Sequence, residues 1–189
     1  METLPKHRNG VDPPFRWKKL VLIVTVFALN MAALNNAGLV LAQEVPQCNG
    51  KAATIYVDGG KIVGGPDNGK KYEGLLRGTP GNDVIVGTSG DDMIMGMGGD
   101  DTICAGPGDD NVSGGPGNDY IEGGPGNDLI EGGPGNDVLE GGPGDDLIKG
   151  GPGDDLIKGG PGDDEIEGGA GKDRLEGGPG DDQIQGDPG

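Results

Sequence analysis

One aliphatic side chain returns every nine residues along more than half of the chain: Ile85, Ile94, Ile103, Val112, Ile121, Ile130, Leu139, Ile148, Ile157, Ile166, Leu175 and Ile184. The residue before each one varies, and the residue after it is Glu, Lys or Gln from Glu122 onward. The six residues before each triplet are rich in glycine, often with proline third. A strand points successive side chains to opposite faces, so each triplet reads as a short strand with its middle residue inward. The glycine-rich stretch is turn chemistry, because glycine reaches positive φ and proline pre-sets φ for a turn. Residues 78–185 divide without insertion into twelve such units, and 186–189 begin a truncated thirteenth. In each unit, positions one to six form a turn and positions seven to nine a strand. A unit with one inward side chain cannot bury it alone, so the units stack as a solenoid of parallel strands. Glycine does not recur every third residue, which excludes a collagen helix.

Composition sharpens this picture. The chain has 44 glycines and 15 prolines in 189 residues, with only 3% aromatics, too few large side chains for an ordinary globular core. The unbroken phase separates it from a disordered glycine-rich tract, which has no need of phase. The fourth position is glycine and the sixth aspartate in all twelve units: Asp83, Asp92, Asp101, Asp110, Asp119, Asp128, Asp137, Asp146, Asp155, Asp164, Asp173 and Asp182. The net charge is −18 overall; residues 1–42 hold two acids and five bases, so the remainder carries −21. A charge of that sign argues against nucleic acid or an anionic membrane as partner and makes cations the natural one.

One aspartate per turn stacks into a column that repels itself. Glycine turns leave backbone carbonyls uncovered nearby. Carboxylate and carbonyl oxygens at flexible spacing are a ligand set for calcium. Zinc favours histidine or cysteine, and the one histidine, His7, lies in the N-terminal segment. Magnesium requires tighter octahedral geometry. One buried aliphatic per nine ordered residues is weak cohesion, so the metal-free chain is expected to be expanded, with folding and calcium binding one event.

Units such as Gly114-Gly115-Pro116-Gly117-Asn118-Asp119-Tyr120-Ile121-Glu122 resemble the RTX, or haemolysin-type, calcium-binding nonapeptide. The resemblance covers 78–185. It implies an all-β protein: a parallel β-roll (a right-handed β-solenoid) with two nonapeptides per coil and calcium between turns that stack two units apart. The twelve sixth-position aspartates become ligands, joined by turn carbonyls at Gly115, Gly117, Gly124, Gly126, Gly133, Gly135, Gly142, Gly144, Gly151, Gly153, Gly160 and Gly162. Up to about ten ions would fit between same-side turns, at the affinity of extracellular modules, about 10⁻⁴–10⁻³ M. The first four units depart from the pattern, with Thr79, Thr88 and Met97 at position two and Ala105 at position one; weaker or distorted sites are expected there. Position nine offers its own check on two units per coil. Lys158 then stacks between Glu140 and Glu176, and Lys149 between Glu131 and Glu167, whereas one unit per coil would stack Lys149 on Lys158.

The ends carry different signals. Residues 1–19 are polar and basic, 20–34 are apolar apart from Asn30, and Val40-Leu41-Ala42 gives a small-residue exit. This order predicts a secretory signal over 1–42 cleaved after Ala42, the alternative being an uncleaved anchor. Either places the repeats outside the cytoplasm, secreted or at the cell surface. The N-terminal signal, without the C-terminal export segment that proteins of the resembled family generally use, predicts the general secretory route, the alternative being a sequence incomplete at its end.

Two cysteines, Cys48 and Cys104, are expected to pair in an oxidising compartment, with two free thiols as the alternative. Residues 43–77 lack the strict phase and read as an N-terminal cap of irregular edge strands: short strands over 48–57 and 60–65, then an expanded repeat in which Leu76 falls nine before Ile85. A Cys48–Cys104 bond would pin that cap to unit three.

These features favour a secreted calcium-binding repeat protein with a structural or binding role. Surface adhesion is the alternative, and a non-catalytic fragment of a larger RTX exoprotein or enzyme stands behind it. No nucleophile–base pair and no phosphate-binding loop points to catalysis, and no small-molecule substrate is evident. Asparagine at position five is interrupted after Asn82 and confined to Asn118, Asn127 and Asn136 beyond it, which disfavours a flat ice-binding row.

Overall fold

The computed structural model describes residues 44–186. The expected signal or anchor segment over 1–42 lies outside the described residues, as do residues 187–189. The described part is all-β. Five short strands come first: β1 (Gln47–Cys48), β2 (Lys51–Ala52), β3 (Tyr56–Asp58), β4 (Lys61–Val63) and β5 (Leu75–Arg77). Twelve three-residue strands follow at positions seven to nine of the twelve units: β6 (Val84–Val86), β7 (Met93–Met95), β8 (Thr102–Cys104), β9 (Asn111–Ser113), β10 (Tyr120–Glu122), β11 (Leu129–Glu131), β12 (Val138–Glu140), β13 (Leu147–Lys149), β14 (Leu156–Lys158), β15 (Glu165–Glu167), β16 (Arg174–Glu176) and β17 (Gln183–Gln185).

Successive strands alternate between two parallel sheets. The even-numbered strands β6 to β16 form a six-stranded sheet, and the odd-numbered strands β5 to β17 a seven-stranded one. Neighbours in each sheet are in register two units apart, as in Ile121 beside Ile103 and Leu139. This is a parallel β-roll with two nonapeptides per coil. The position-nine charges stack as the two-unit coil requires: Lys149 sits between Glu131 and Glu167, and Lys158 between Glu140 and Glu176. Lys149 Nζ lies 3.8 Å from Glu167.

The core is the double column of eighth-position side chains. Ile85 through Ile166 are fully buried, Leu175 is only partly covered, and Ile184 in the last coil is 48% exposed. Among the described residues, the first coil is covered and the last is not. The hairpins β1–β2 and β3–β4 are antiparallel. Between them, Ile55 bridges Ile85 at the edge of the six-stranded sheet and is buried. Leu76 on β5 pairs with Ile94 and opens the seven-stranded sheet, in the phase that its offset from Ile85 predicts. A disulfide joins Cys48 to Cys104, Cα to Cα 5.7 Å, across 56 residues of chain.

Candidate metal centre

The sixth-position aspartates line the interior of the turns. Those from Asp83 to Asp164 are buried, while Asp173 and Asp182 in the last coil are half-buried. Each carboxylate from Asp101 onward divides its work between two oxygens. Oδ1 accepts the backbone N–H of the sixth residue one coil earlier: Asp101 from Asp83, Asp119 from Asp101 and Asp137 from Asp119, all at 2.8 Å. The other column is laced the same way, from Asp92 through Asp110 and Asp128 to Asp146 and Asp164. Oδ2 has no hydrogen-bond partner at all in Asp101, Asp110, Asp119, Asp128, Asp137, Asp146, Asp155 and Asp164, though it is buried in each.

Buried carboxylate oxygens without a donor are costly. Here they are crowded too. The first-position glycine of each unit leaves room for its own aspartate: a Cβ on Gly114 or Gly141 would overlap Oδ2 of Asp119 or Asp146. Burial pushes these carboxyls up, to about 7 for Asp101, Asp137 and Asp146 and about 6 for Asp110 and Asp128. The accepted backbone hydrogen bond pulls the other way, and neighbouring aspartates add to the rise. Asp92, Asp119, Asp155 and Asp164 are also raised, chiefly by burial.

The remaining oxygens come from the turn backbone. N–H groups at positions one, two and four bond to carbonyls at positions nine, one and three of the next coil, as in Gly114 to Glu131, Gly115 to Gly132 and Gly117 to Pro134. That pattern leaves the second- and fourth-position carbonyls over. From Gly115 and Gly117 through Gly160 and Gly162, none of the twelve accepts a hydrogen bond among the described residues. They face the next coil, where a Cβ on Gly133 or Gly135 would overlap the carbonyl oxygen of Gly115 or Gly117.

The donor set is therefore all oxygen, with one unsatisfied carboxylate oxygen and two free carbonyls per unit. No three His, Cys, Asp or Glu side chains among the described residues converge as a compact metal cluster. An all-oxygen set at flexible spacing suits calcium, which takes about six to eight oxygens at about 2.3–2.6 Å, whereas magnesium demands near-ideal octahedral geometry at about 2.0–2.1 Å. The residues fit calcium.

The first two units differ. Thr79 N–H donates to Asp83 Oδ2 at 2.7 Å and its hydroxyl donates at 2.9 Å. Thr88 does the same for Asp92 Oδ2, at 2.6 and 3.1 Å. Neither Gly81 nor Gly90 takes the positive φ that the fourth-position glycines adopt from Gly99 onward. In unit three, Met97 holds the glycine conformation at φ 86°.

Two further features have no signal in the nonapeptide pattern. The fifth-position side chains form their own ladder, running opposite to the sixth: Asn118 N–H donates to Asp100 Oδ1, and Asn136 N–H to Asn118 Oδ1. Asp and Asn serve equally there, which explains why the two interchange along the array. Asp67, in the loop before β5, is buried and paired with Lys70 and Arg77, which hold its carboxyl below the usual range, the Lys70 hydrogen bond foremost.

Residues 77–112, 105–139, 113–148, 140–175 and 158–189 match the family model described as RTX calcium-binding nonapeptide repeat (4 copies). No curated protein matches the chain.

Proposed function

Because the chain belongs to the RTX calcium-binding nonapeptide-repeat family, we propose that it is a secreted protein whose roll winds as it binds calcium, and whose role is structural or binding. The observation that carries this reading is the row of eight buried, donorless Oδ2 atoms, in turns whose second- and fourth-position carbonyls accept no backbone hydrogen bond. Calcium supplies the positive charge that this row lacks and takes its free oxygens as ligands. Asp101, Asp110, Asp119, Asp128, Asp137, Asp146, Asp155 and Asp164 hold it, with carbonyls from Gly115 and Gly117 to Gly160 and Gly162. Asp173 and Asp182 join them at the last coil. The aspartates' Oδ1 atoms stay on the backbone and fix each carboxylate in place, so coordination falls to Oδ2. Export is supported by the basic, then apolar, order of residues 1–42 and by the Cys48–Cys104 bond, which suits an oxidising compartment.

Far-UV circular dichroism of the protein titrated with calcium, and separately with magnesium, tests the reading. A cooperative gain of β signal with calcium in the range of about 10⁻⁴–10⁻³ M, absent with equal magnesium, is expected. Superimposable spectra with and without calcium would end it.

A further inference from the structure

The roll is not uniform in its need for metal. Asp83 and Asp92 carry the same residue type, at the same position, as the eight aspartates with bare Oδ2 atoms, yet both have that oxygen satisfied within their own turn. The cause is one residue: threonine in place of glycine at position two. In later units the second-position N–H turns outward at positive φ and donates to the next coil, as Gly115 does to Gly132. Thr79 and Thr88 are not at positive φ, and their N–H groups turn inward to the carboxylate instead. Each hydroxyl then bridges the turn, accepting from the N–H two residues on (Gly81 or Gly90, both at 3.3 Å) while donating to the aspartate. Two donors stand on the oxygen that elsewhere has none.

The same coil is also the best supported by ordinary contacts. Ile55, Leu76, Ile85 and Ile94 are buried together. Thr54 and Ile55 N–H groups both reach the Val84 carbonyl, at 2.7 and 3.0 Å, and Val86 N–H reaches the Ile55 carbonyl. The Thr54 hydroxyl accepts from Val84 N–H at 2.9 Å. The disulfide ties this end to β8.

We propose that units one and two, residues 78–95, form a metal-independent first coil in which Thr79 and Thr88 stand in for calcium, and that this coil with the 44–77 segment is the seed on which calcium winds the rest. The proposal rests on the calcium reading for the later coils. It removes Asp83 and Asp92 from the calcium ligands and makes them the inner wall of a preformed edge. That edge presents β6 and β7, already in strand geometry, to the next coil. Each new coil then needs only its own calcium and its own pair of aliphatic side chains, and winding runs from the N-terminal end.

Hydrogen–deuterium exchange of the full chain in excess chelator tests this. Amides within 78–95 are expected to exchange at least tenfold more slowly than those within 105–167, and calcium is then expected to protect 105–167. The double variant Thr79→Gly/Thr88→Gly is expected to lose the chelator-resistant protection of 78–95, to regain it with calcium, and to take up more calcium at saturation by native mass spectrometry. Thr79→Ser/Thr88→Ser keeps the donors and is expected to behave as the parent. Equal exchange across both stretches of the parent in chelator would overturn the proposal. So would unchanged protection in the glycine variant, or its failure to refold with calcium. Failure of calcium to protect 105–167 would instead strike the calcium reading, whatever 78–95 does.

Discussion

Asp137 shows how much one side chain does in this roll. Its Oδ1 takes the Asp119 N–H at 2.8 Å, its Oδ2 has no partner, and burial raises its carboxyl to about 7. Replacement by asparagine keeps the first function and ends the second. Asp137→Asn is therefore expected to ease folding in chelator, because a buried charge is gone, and to reduce bound calcium by one or two ions, read by isothermal titration calorimetry. Asp137→Ala is expected to behave differently. It strands the Asp119 N–H in the interior, a loss of about 1–3 kcal/mol that calcium cannot restore, seen as a lower melting temperature in saturating calcium. The sixth-position aspartates are legible in the sequence as an invariant column. Their division of labour between two oxygens is not, because the partner of Oδ1 is a backbone N–H a whole coil away. The threonines at 79 and 88 mark themselves in sequence only as departures; that they satisfy a carboxylate depends on the sign of φ, which no spacing reveals.

Stacked turn-and-strand units set a column of protonatable groups beside their thin aliphatic core. Folded carboxyls at about 6 to 7 stand above the 3.8 of an unfolded aspartate. The folded state thus binds more protons across that interval, and stability without metal falls as pH rises through it. In chelator, β signal by circular dichroism is expected to grow as pH is lowered from 8 to 5. The calcium concentration at half-maximal folding is expected to fall over the same span, since protons on Oδ2 take over part of calcium's role in the folded roll. The strands themselves are plain in the sequence. All twelve fall on positions seven to nine because the inward aliphatic and the turn glycines fix both phase and boundary. The fifth-position ladder escapes sequence reading, since Asp and Asn there look like two kinds of solvent-facing residue. Only stacking shows that an Oδ1 is all that the next coil requires.

For the molecule as a whole, the two ends are unlike. Ile55 covers the edge of one sheet and Leu76 opens the other, whereas Ile184 is left 48% exposed. The sequence places Leu76 by its offset from Ile85, but Ile55 lies outside the phase and joins the column only through an isolated bridge. The Cys48–Cys104 bond closes a 56-residue separation, and a loop of that size is worth about 4 kcal/mol by chain entropy. Cys48→Ser/Cys104→Ser is therefore expected to lower the calcium-loaded melting temperature and to loosen residues 44–95 more than residues 105–167, read by hydrogen exchange.

The two-unit register also acts as a ruler for changes in length. Inserting or deleting a pair of units within the array would return every later strand to its own sheet, with Lys149 and Lys158 still in their own rows. A change of one unit would send every downstream strand to the opposite sheet and reshuffle which outward side chains are neighbours. The roll can therefore lengthen or shorten by whole coils, while half-coil steps exchange its two faces.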